Sequence, residues 1–437
     1  MEQMNMTQEE KRELRRKRRI RNQVIAYITV IVMIIALAVG IVYGVRALTQ
    51  SNEQQEIEQQ QKVEEMIGTE EVIQTPEPTT EPMVELTPEQ KLDEIVNAGI
   101  EVMPLEDKVA GLFIVTPEAI TGVSTAIQAG EGTQQALSQY AVGGIIYFSK
   151  NIQSEEQLRK MIENTQLYTK YPLFIAVDEE GGSVSRVADA GIGTKVDSAK
   201  AIGETGDSDK AYEAGTTIGS YLADLGFNLD FAPVADLANV ENSIMDGRAY
   251  GSDAATVSPF VNAMVLGLEE NNVTACLKHF PGIGSTTADT HNGLASTNRS
   301  AEDFRANEFV VFQNGIEAGA DMIMVSHMSA PSLAGDNTPS TLSEAVVTDI
   351  LRNELHFNGV IITDAMNMAA ISDYYGADDA AIMALKAGCD MILMPEDFEV
   401  AYNGVLEAVR NGTVSEERIN DSLRRIYRIK YADKIAQ

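Results

Sequence analysis

The segment Lys278-His279-Phe280-Pro281-Gly282, followed by Asp289-Thr290-His291, gathers a lysine, a carboxylate and two of the chain's four histidines within fourteen residues. The apolar or small run Val273–Leu277 leads straight into it. The pattern reads as a buried strand ending in polar groups, after which a Pro-Gly break releases the chain into a small, polar loop at residues 284–288. An aspartate and a histidine two apart on a loop, beside a fixed Lys-His pair, suit acid/base chemistry. A polar loop carrying a solvated histidine would look the same locally, so the remainder of the chain has to decide.

Eight short apolar runs have the character of fully buried strands: residues 111–115, 144–148, 173–177, 227–231, 273–277, 322–325, 360–362 and 391–394. Helix-like segments lie between most of them, at 154–169, 209–225, 257–271, 301–318 and 342–355. Eight strands alternating with helices predict a (β/α)8 TIM-type barrel as a single catalytic domain over residues 91–437. An open doubly wound sheet is the competing α/β architecture, but no glycine fingerprint follows the first strand. After the last strand, Ser415 is placed to cap a final helix to about residue 432, with Ile419, Leu423 and Ile426 on one face. Residues 396–437 leave no room for a second catalytic domain, so the acid, base and nucleophile must come from the barrel and its loops.

Chemistry in such barrels sits on the loops at the C-terminal strand ends, and those ends are rich in candidates here. The third run ends Asp178-Glu179-Glu180-Gly181-Gly182, the fourth carries Asp230 and Asp236, the fifth ends Lys278-His279, the sixth Ser326-His327 and the seventh Thr363-Asp364. Asp364 emerges from Gly359-Val360-Ile361-Ile362-Thr363 and is the nucleophile candidate, since an ionised carboxylate there can attack an electrophilic carbon and later leave. Its ordinary role would be to cap the next helix. Lys278, His279 and Arg248 are donors suited to sugar hydroxyls, and Asp178 is an acceptor suited to a pair of them. With no Trp in the chain, the commonest stacking platform is missing, which favours a pocket for one sugar over a long groove. The histidines lack zinc-motif spacing and there is no phosphate loop, so neither a metal nor a cofactor is expected.

The composition divides the chain. Residues 1–23 form a basic tail with eight Lys/Arg against four Asp/Glu, within a total net charge of −32. Such an acidic body argues against a nucleic-acid partner. Residues 24–45 are 22 uncharged residues rich in Ile, Val and Ala, long enough as a helix (about 33 Å) to cross a bilayer. They predict an uncleaved single-pass transmembrane anchor in the cell membrane, with the cluster Arg15-Arg16-Lys17-Arg18-Arg19 cytoplasmic and the catalytic domain outside. Residues 46–90, rich in Gln, Glu, Pro and Thr, predict a flexible linker. Cys276 and Cys389 sit in or beside separate apolar runs and are expected to be buried free thiols.

Taken together the motifs resemble the single-domain β-N-acetylhexosaminidases of glycoside hydrolase family 3. The likeness covers about residues 95–435. It rests on Val177-Asp178-Glu179-Glu180-Gly181-Gly182, Gly247-Arg248-Ala249-Tyr250-Gly251-Ser252-Asp253, Lys278-His279-Phe280-Pro281-Gly282 with Asp289-Thr290-His291, Met324-Val325-Ser326-His327, and Ile361-Ile362-Thr363-Asp364-Ala365-Met366-Asn367-Met368. The resemblance implies Asp364 as the nucleophile of a covalent glycosyl-enzyme. It implies His291 as general acid/base, with Asp289 orienting it, and Asp178, Arg248, Lys278 and His279 as the groups binding N-acetylglucosamine. The implied reaction is retaining hydrolysis of a terminal β-linked N-acetylglucosamine, without a cofactor. Using an imidazole departs from the usual pair of carboxylates, but histidine readily gives and takes a proton near neutrality. Gly282 and Gly284 suggest a loop able to close over sugar. The chain departs from the family pattern at Ile283, where histidine is usual, at Ser183, where arginine is usual, and at Ala365, where a second aspartate is usual.

Outside the cytoplasmic membrane, wall-type glycans or muropeptides are the natural substrates. Phosphorolysis through the same intermediate is physically permitted, because a neutral histidine does not repel a phosphate dianion. A non-catalytic wall-glycan binding module would need neither Asp364 nor His291. A lyase or aldolase would want an imine-forming lysine at a strand end, a role for which Lys278 is available but its neighbours fit sugar binding better. The sequence assigns no oligomeric state.

Overall fold

The structure, a computed structural model, describes residues 86–435, with side chains to residue 432. The basic tail, the anchor and all but the end of the linker therefore lie outside the described residues. Among the described residues no helix is long and apolar enough to cross a membrane.

All eight expected strands form, and all pair in parallel. They are β1 (Phe113–Val115), β2 (Gly144–Ile146), β3 (Phe174–Val177), β4 (Leu229–Asp230), β5 (Thr274–Phe280), β6 (Met322–Val325), β7 (Val360–Thr363) and β8 (Ile392–Leu393). Each pairs with the next, and β8 pairs with β1 through Phe113↔Ile392 and Ile114↔Leu393. The last seam, between β7 and β8, is closed by the bridge Ile362↔Met391, so the sheet is a barrel. Their largely apolar character follows from burial on both faces, by side chains inside and by helices outside. Both cysteines are buried and free.

The outer helices bury one stripe each. Helix Asp209–Leu225 buries Ala211, Ala214, Gly215, Ile218, Gly219, Leu222 and Leu225 at helical spacing, and Gly226 ends it in the left-handed conformation. It packs tightly on helix Ala254–Glu269, where a Cβ on Gly267 would lie 2.7 Å from the Tyr212 carbonyl oxygen. The final helix, Glu416–Ile435, starts as expected, with Ser415 Oγ accepting from the Arg418 amide at 3.1 Å.

Several expectations need correction. The domain begins inside the expected linker: helix Pro88–Glu101 is opened by a reciprocal capping box between Thr87 and Gln90, a local signal that the surrounding Pro-rich composition masks. The segment expected as one helix at 301–318 is two, Ala301–Ala306 and Glu308–Glu317, broken at Asn307. That expected at 342–355 is a wide π-type helix, Ala345–Glu354. Strand β5 runs to Phe280, so Lys278 and His279 belong to the strand itself. A short antiparallel hairpin, Glu179–Gly181 with Val184–Ser185, follows β3 and was not foreseen.

The β7–β8 seam rests on a single bridge pair, and a buried carboxylate reinforces it. Asp390 Oδ2 accepts from the Ile361 amide at 3.0 Å and from Arg352 at 2.7 Å, while Oδ1 accepts from Ser422 at 2.8 Å and Arg425 at 3.0 Å. One side chain thus ties β7, β8 and the final helix at the end of the barrel opposite the strand C-termini. Asp390→Ala takes the shared carboxylate from three arginines, Arg352, Arg418 and Arg425, and the acceptor from a strand amide, and is expected to cost about 3–5 kcal/mol in chemical denaturation. A loss below about 1 kcal/mol, the range of surface pairs, would show that solvent replaces the carboxylate.

Candidate active site

The C-terminal strand ends open into a cavity of about 360 Å³, the size of a small-ligand site. All seven residues singled out from the sequence line it: Asp178, Arg248, Lys278, His279, Asp289, His291 and Asp364. They arrive from β3, the β4 loop, β5, the loop after β5 and β7, and only the barrel brings them together.

A buried charge network forms one wall. The Lys278 side chain is 2% exposed, and its Nζ lies 2.8 Å from Asp178 Oδ1 and 2.6 Å from Glu180 Oε1. Glu180 in turn receives Arg248 in a fork, Nε to Oε2 at 2.9 Å and Nη2 to Oε1 at 2.6 Å. Burial alone would raise the Glu180 carboxyl, but Lys278 and Arg248 outweigh it and hold it at about 2. Burial likewise opposes charge on Lys278, and Asp178 and Glu180 reverse that, so the ammonium is kept above its ordinary range. Asp178 remains one-fifth exposed, placing a carboxylate on the cavity side.

His279 is held from behind by Asp236, whose Oδ2 lies 2.7 Å from the ring Nδ1 and accepts from the His279 amide at 3.1 Å. Nδ1 is thereby engaged with Asp236, which fixes the orientation of the ring. Asp236 Oδ1 accepts from the Ile283 amide at 2.6 Å, so the same buried carboxylate fixes the start of the next loop.

That loop is firmly based and exposed at its tip. A Cβ on Gly282 would meet Glu308 Cγ at 2.5 Å, and one on Gly284 would meet the Leu237 carbonyl at 2.0 Å. These glycines permit close packing of the base of the loop. Ile283 is buried where it stands. Ser243 donates to the Gly284 carbonyl at 2.8 Å, and the Thr297 and Ser329 amides bond the chain back onto the segment after β6. Residues 287–289 and 291–292 are exposed. There Asp289 Oδ1 accepts from the His291 amide at 2.9 Å and lies 2.8 Å from its ring Nδ1. Burial opposes ionisation of Asp289, but the bonds from His291 together outweigh it and hold its carboxyl below the ordinary range. The His291 ring, 70% exposed, thus has Nδ1 engaged and Nε2 free.

Asp364 follows β7 directly. Its amide donates to the Val325 carbonyl at 2.9 Å, and its Oδ1 accepts from the Ala365 amide at 2.7 Å. Burial would raise this carboxyl, but His327, His279, the Ala365 amide and His291 bring it below the ordinary carboxylate value. The nucleophile candidate is therefore ionised at neutral pH.

Four contributors went unassigned in the sequence reading. Glu180 and Asp236 carry the network and lay at strand ends already noted as acidic. His327, at the end of β6, is buried beside Asp364. Arg186 lines the cavity, with its Nε buried and lacking a hydrogen-bond partner. It follows the unforeseen hairpin, and only that turn directs it inward.

Comparisons with known proteins agree with this geometry. Residues 104–429 match the model described as the glycosyl hydrolase family 3 N terminal domain. The chain is 34% identical over 267 residues to a beta-hexosaminidase of Nitrosomonas eutropha, covering 60% of this chain and 76% of that protein. It is 31% identical over 326 residues to a beta-hexosaminidase A of Pseudoalteromonas piscicida, covering 68% of this chain but only 54% of that one. Among solved structures, a family 3 β-N-acetylglucosaminidase from Paenibacillus sp. superposes with a TM-score of 0.72 at 34% identity, over 77% of this chain and 64% of that chain. The strand order, the matched span and these relatives agree, and the chain belongs to glycoside hydrolase family 3.

Proposed function

We propose that this chain is a retaining exo-β-N-acetylhexosaminidase that removes terminal β-linked N-acetylglucosamine from cell-wall-type glycans or muropeptides. The observation that carries the reading is one cavity holding an ionised strand-end carboxylate, Asp364, together with a loop-borne His291–Asp289 pair. Family membership and the names of its relatives support it.

The roles follow from position. Asp178, with Lys278, His279, Arg248 and the unpaired Arg186, binds the hydroxyl and acetamido groups of one sugar. Asp364 attacks the anomeric carbon as the glycosidic C–O bond breaks. The departing oxygen takes the proton from His291 Nε2, and Asp289 stabilises the charged ring. Water then attacks the glycosyl-enzyme, returning its proton to His291 and releasing Asp364. Phosphate could take the place of water, giving a sugar 1-phosphate, because the neutral imidazole carries no charge to repel it.

The uncharged stretch at 24–45 and the basic cluster before it support an uncleaved anchor, with the N-terminus cytoplasmic and the barrel outside. The full-length protein should then stay with membranes through a high-salt wash, and its release into the supernatant would remove the anchor from this account.

Hydrolysis of a chromogenic β-N-acetylglucosaminide is the direct test of activity. Asp364→Ala should lower kcat/KM by about 10³-fold or more. His291→Ala should cost less on this activated leaving group and more on a disaccharide. No release, with or without phosphate, while N-acetylglucosamine still binds, would leave a glycan-binding module. A phosphate-dependent rate with sugar 1-phosphate as product would replace hydrolysis by phosphorolysis.

Glu180→Gln keeps the shape and removes the charge that Lys278 and Arg248 share. It should lower kcat/KM roughly 10–100-fold, mainly through KM. A change confined to kcat would mean that the network acts on the transition state instead of on sugar binding.

A further inference from the structure

His327 lies two residues beyond β6, is fully buried, and has no part in the steps above. Its Nε2 lies 2.9 Å from the Ala365 carbonyl oxygen. A carbonyl can only accept, so the proton sits on Nε2 and the ring is the donor. Nδ1 has no hydrogen-bond partner. A second proton there would be a buried donor with nothing to meet it, which burial disfavours. The ring is therefore neutral, in a single tautomer.

Ala365 is the residue through which the chain leaves the nucleophile. Its amide donates to Asp364 Oδ1 at 2.7 Å, and its carbonyl is the group His327 grips. The next two amides, of Met366 and Asn367, donate to the Leu393 and Met394 carbonyls at 2.9 and 3.0 Å. One side of this turn is thus held by β8 and its following residue, and the other by the imidazole. The side chain of Ala365 is a methyl group and offers no polar tie of its own.

We infer that His327 is a positioning residue for the nucleophile: as a neutral Nε2–H donor it fixes the Ala365 carbonyl, so that the Ala365 amide holds Asp364 Oδ1 and leaves Oδ2 to attack the sugar. The inference rests on the proposed role of Asp364. It adds a residue that touches neither sugar nor leaving group and acts through one backbone turn. The other groups facing Asp364 are His279 from β5 and His291 from the loop. Lys278, Asp178 and Glu180 share the cavity.

The test compares full-length wild type, His327→Gln and His327→Asn on the chromogenic β-N-acetylglucosaminide, with thermal midpoints measured alongside. Glutamine places an amide N–H near the position of Nε2, whereas asparagine places it near Nδ1. The Asn variant should lose about 10²-fold in kcat with KM little changed, as expected for a misplaced reacting group. Its acidic limb should move to higher pH, because the Ala365 amide that helps keep Asp364 ionised is no longer held in place. The Gln variant should recover most of the rate and the wild-type acidic limb. Equal losses in both variants, a loss expressed in KM, or an unmoved acidic limb with a lowered thermal midpoint would assign His327 a merely structural role. If the Asn variant does not fold, the Gln variant decides: near-wild-type kcat supports the inference, and a large kcat loss at an unchanged midpoint overturns it. An inactive wild type would remove the Asp364 reading and this inference together, whereas an active wild type with indifferent variants would remove the inference alone.

Discussion

A lysine ammonium with 2% of its side chain exposed cannot be buried alone, and the candidate site is organised around that constraint. Lys278 needs two carboxylates, and it finds Asp178 at the end of β3 and Glu180 in the hairpin beyond it. Glu180 then has charge to share and takes Arg248 from the loop after β4. Two cations and two carboxylates from three barrel segments thereby fix each other's positions. Removing any one would leave an uncompensated buried charge, so the arrangement is rigid before any sugar arrives. Such preorganisation favours recognition of one fixed set of hydroxyls over adaptable binding.

The acid/base side follows a different logic. Asp236 and Glu308, both buried, hold the base of the loop after β5, and Gly282 and Gly284 let it pack against its neighbours without a Cβ between them. Beyond this base, His291 and Asp289 stand on an exposed tip and are held mainly by each other. A fixed glycone pocket beside an exposed proton donor suits a reaction whose leaving group must enter, be protonated and depart. Asp364 lies between these regimes, on a strand end but gripped only through the Ala365 amide and its own backbone.

The barrel was legible because most strands are short apolar runs with polar residues at or just after their C-terminal ends, a pattern imposed by burial on both faces. Asp178, Lys278, His279 and Asp364 were legible for the same reason, since polar groups at strand C-termini have one place to go in this fold, whereas Arg248, Asp289 and His291 lie on loops and stood out through the motifs that carry them. What escaped detection depends on partners distant in the chain. Glu180 matters because of Lys278, far along the chain, and nothing local separates it from the likewise buried Glu179, which instead caps the amides of Val187 and Ala188 and accepts from Tyr221. Arg186 points into the cavity because of a two-glycine hairpin too short to register as strands. The close packing at Gly284 depends on a carbonyl from residue 237, a partner that the local sequence does not reveal. The helix at Pro88 was hidden by the composition around it, although its capping box was present in the sequence.

The central claim is that Asp364 becomes covalently bound to the sugar. A fluorinated β-N-acetylglucosaminide that forms the glycosyl-enzyme faster than it breaks down would test this most directly, with the labelled peptide identified by mass spectrometry. The account predicts one sugar residue on the peptide containing Asp364, no label in Asp364→Ala, and β-configured product from the unmodified substrate. An adduct on another carboxylate, or turnover with inversion and no adduct, would contradict it.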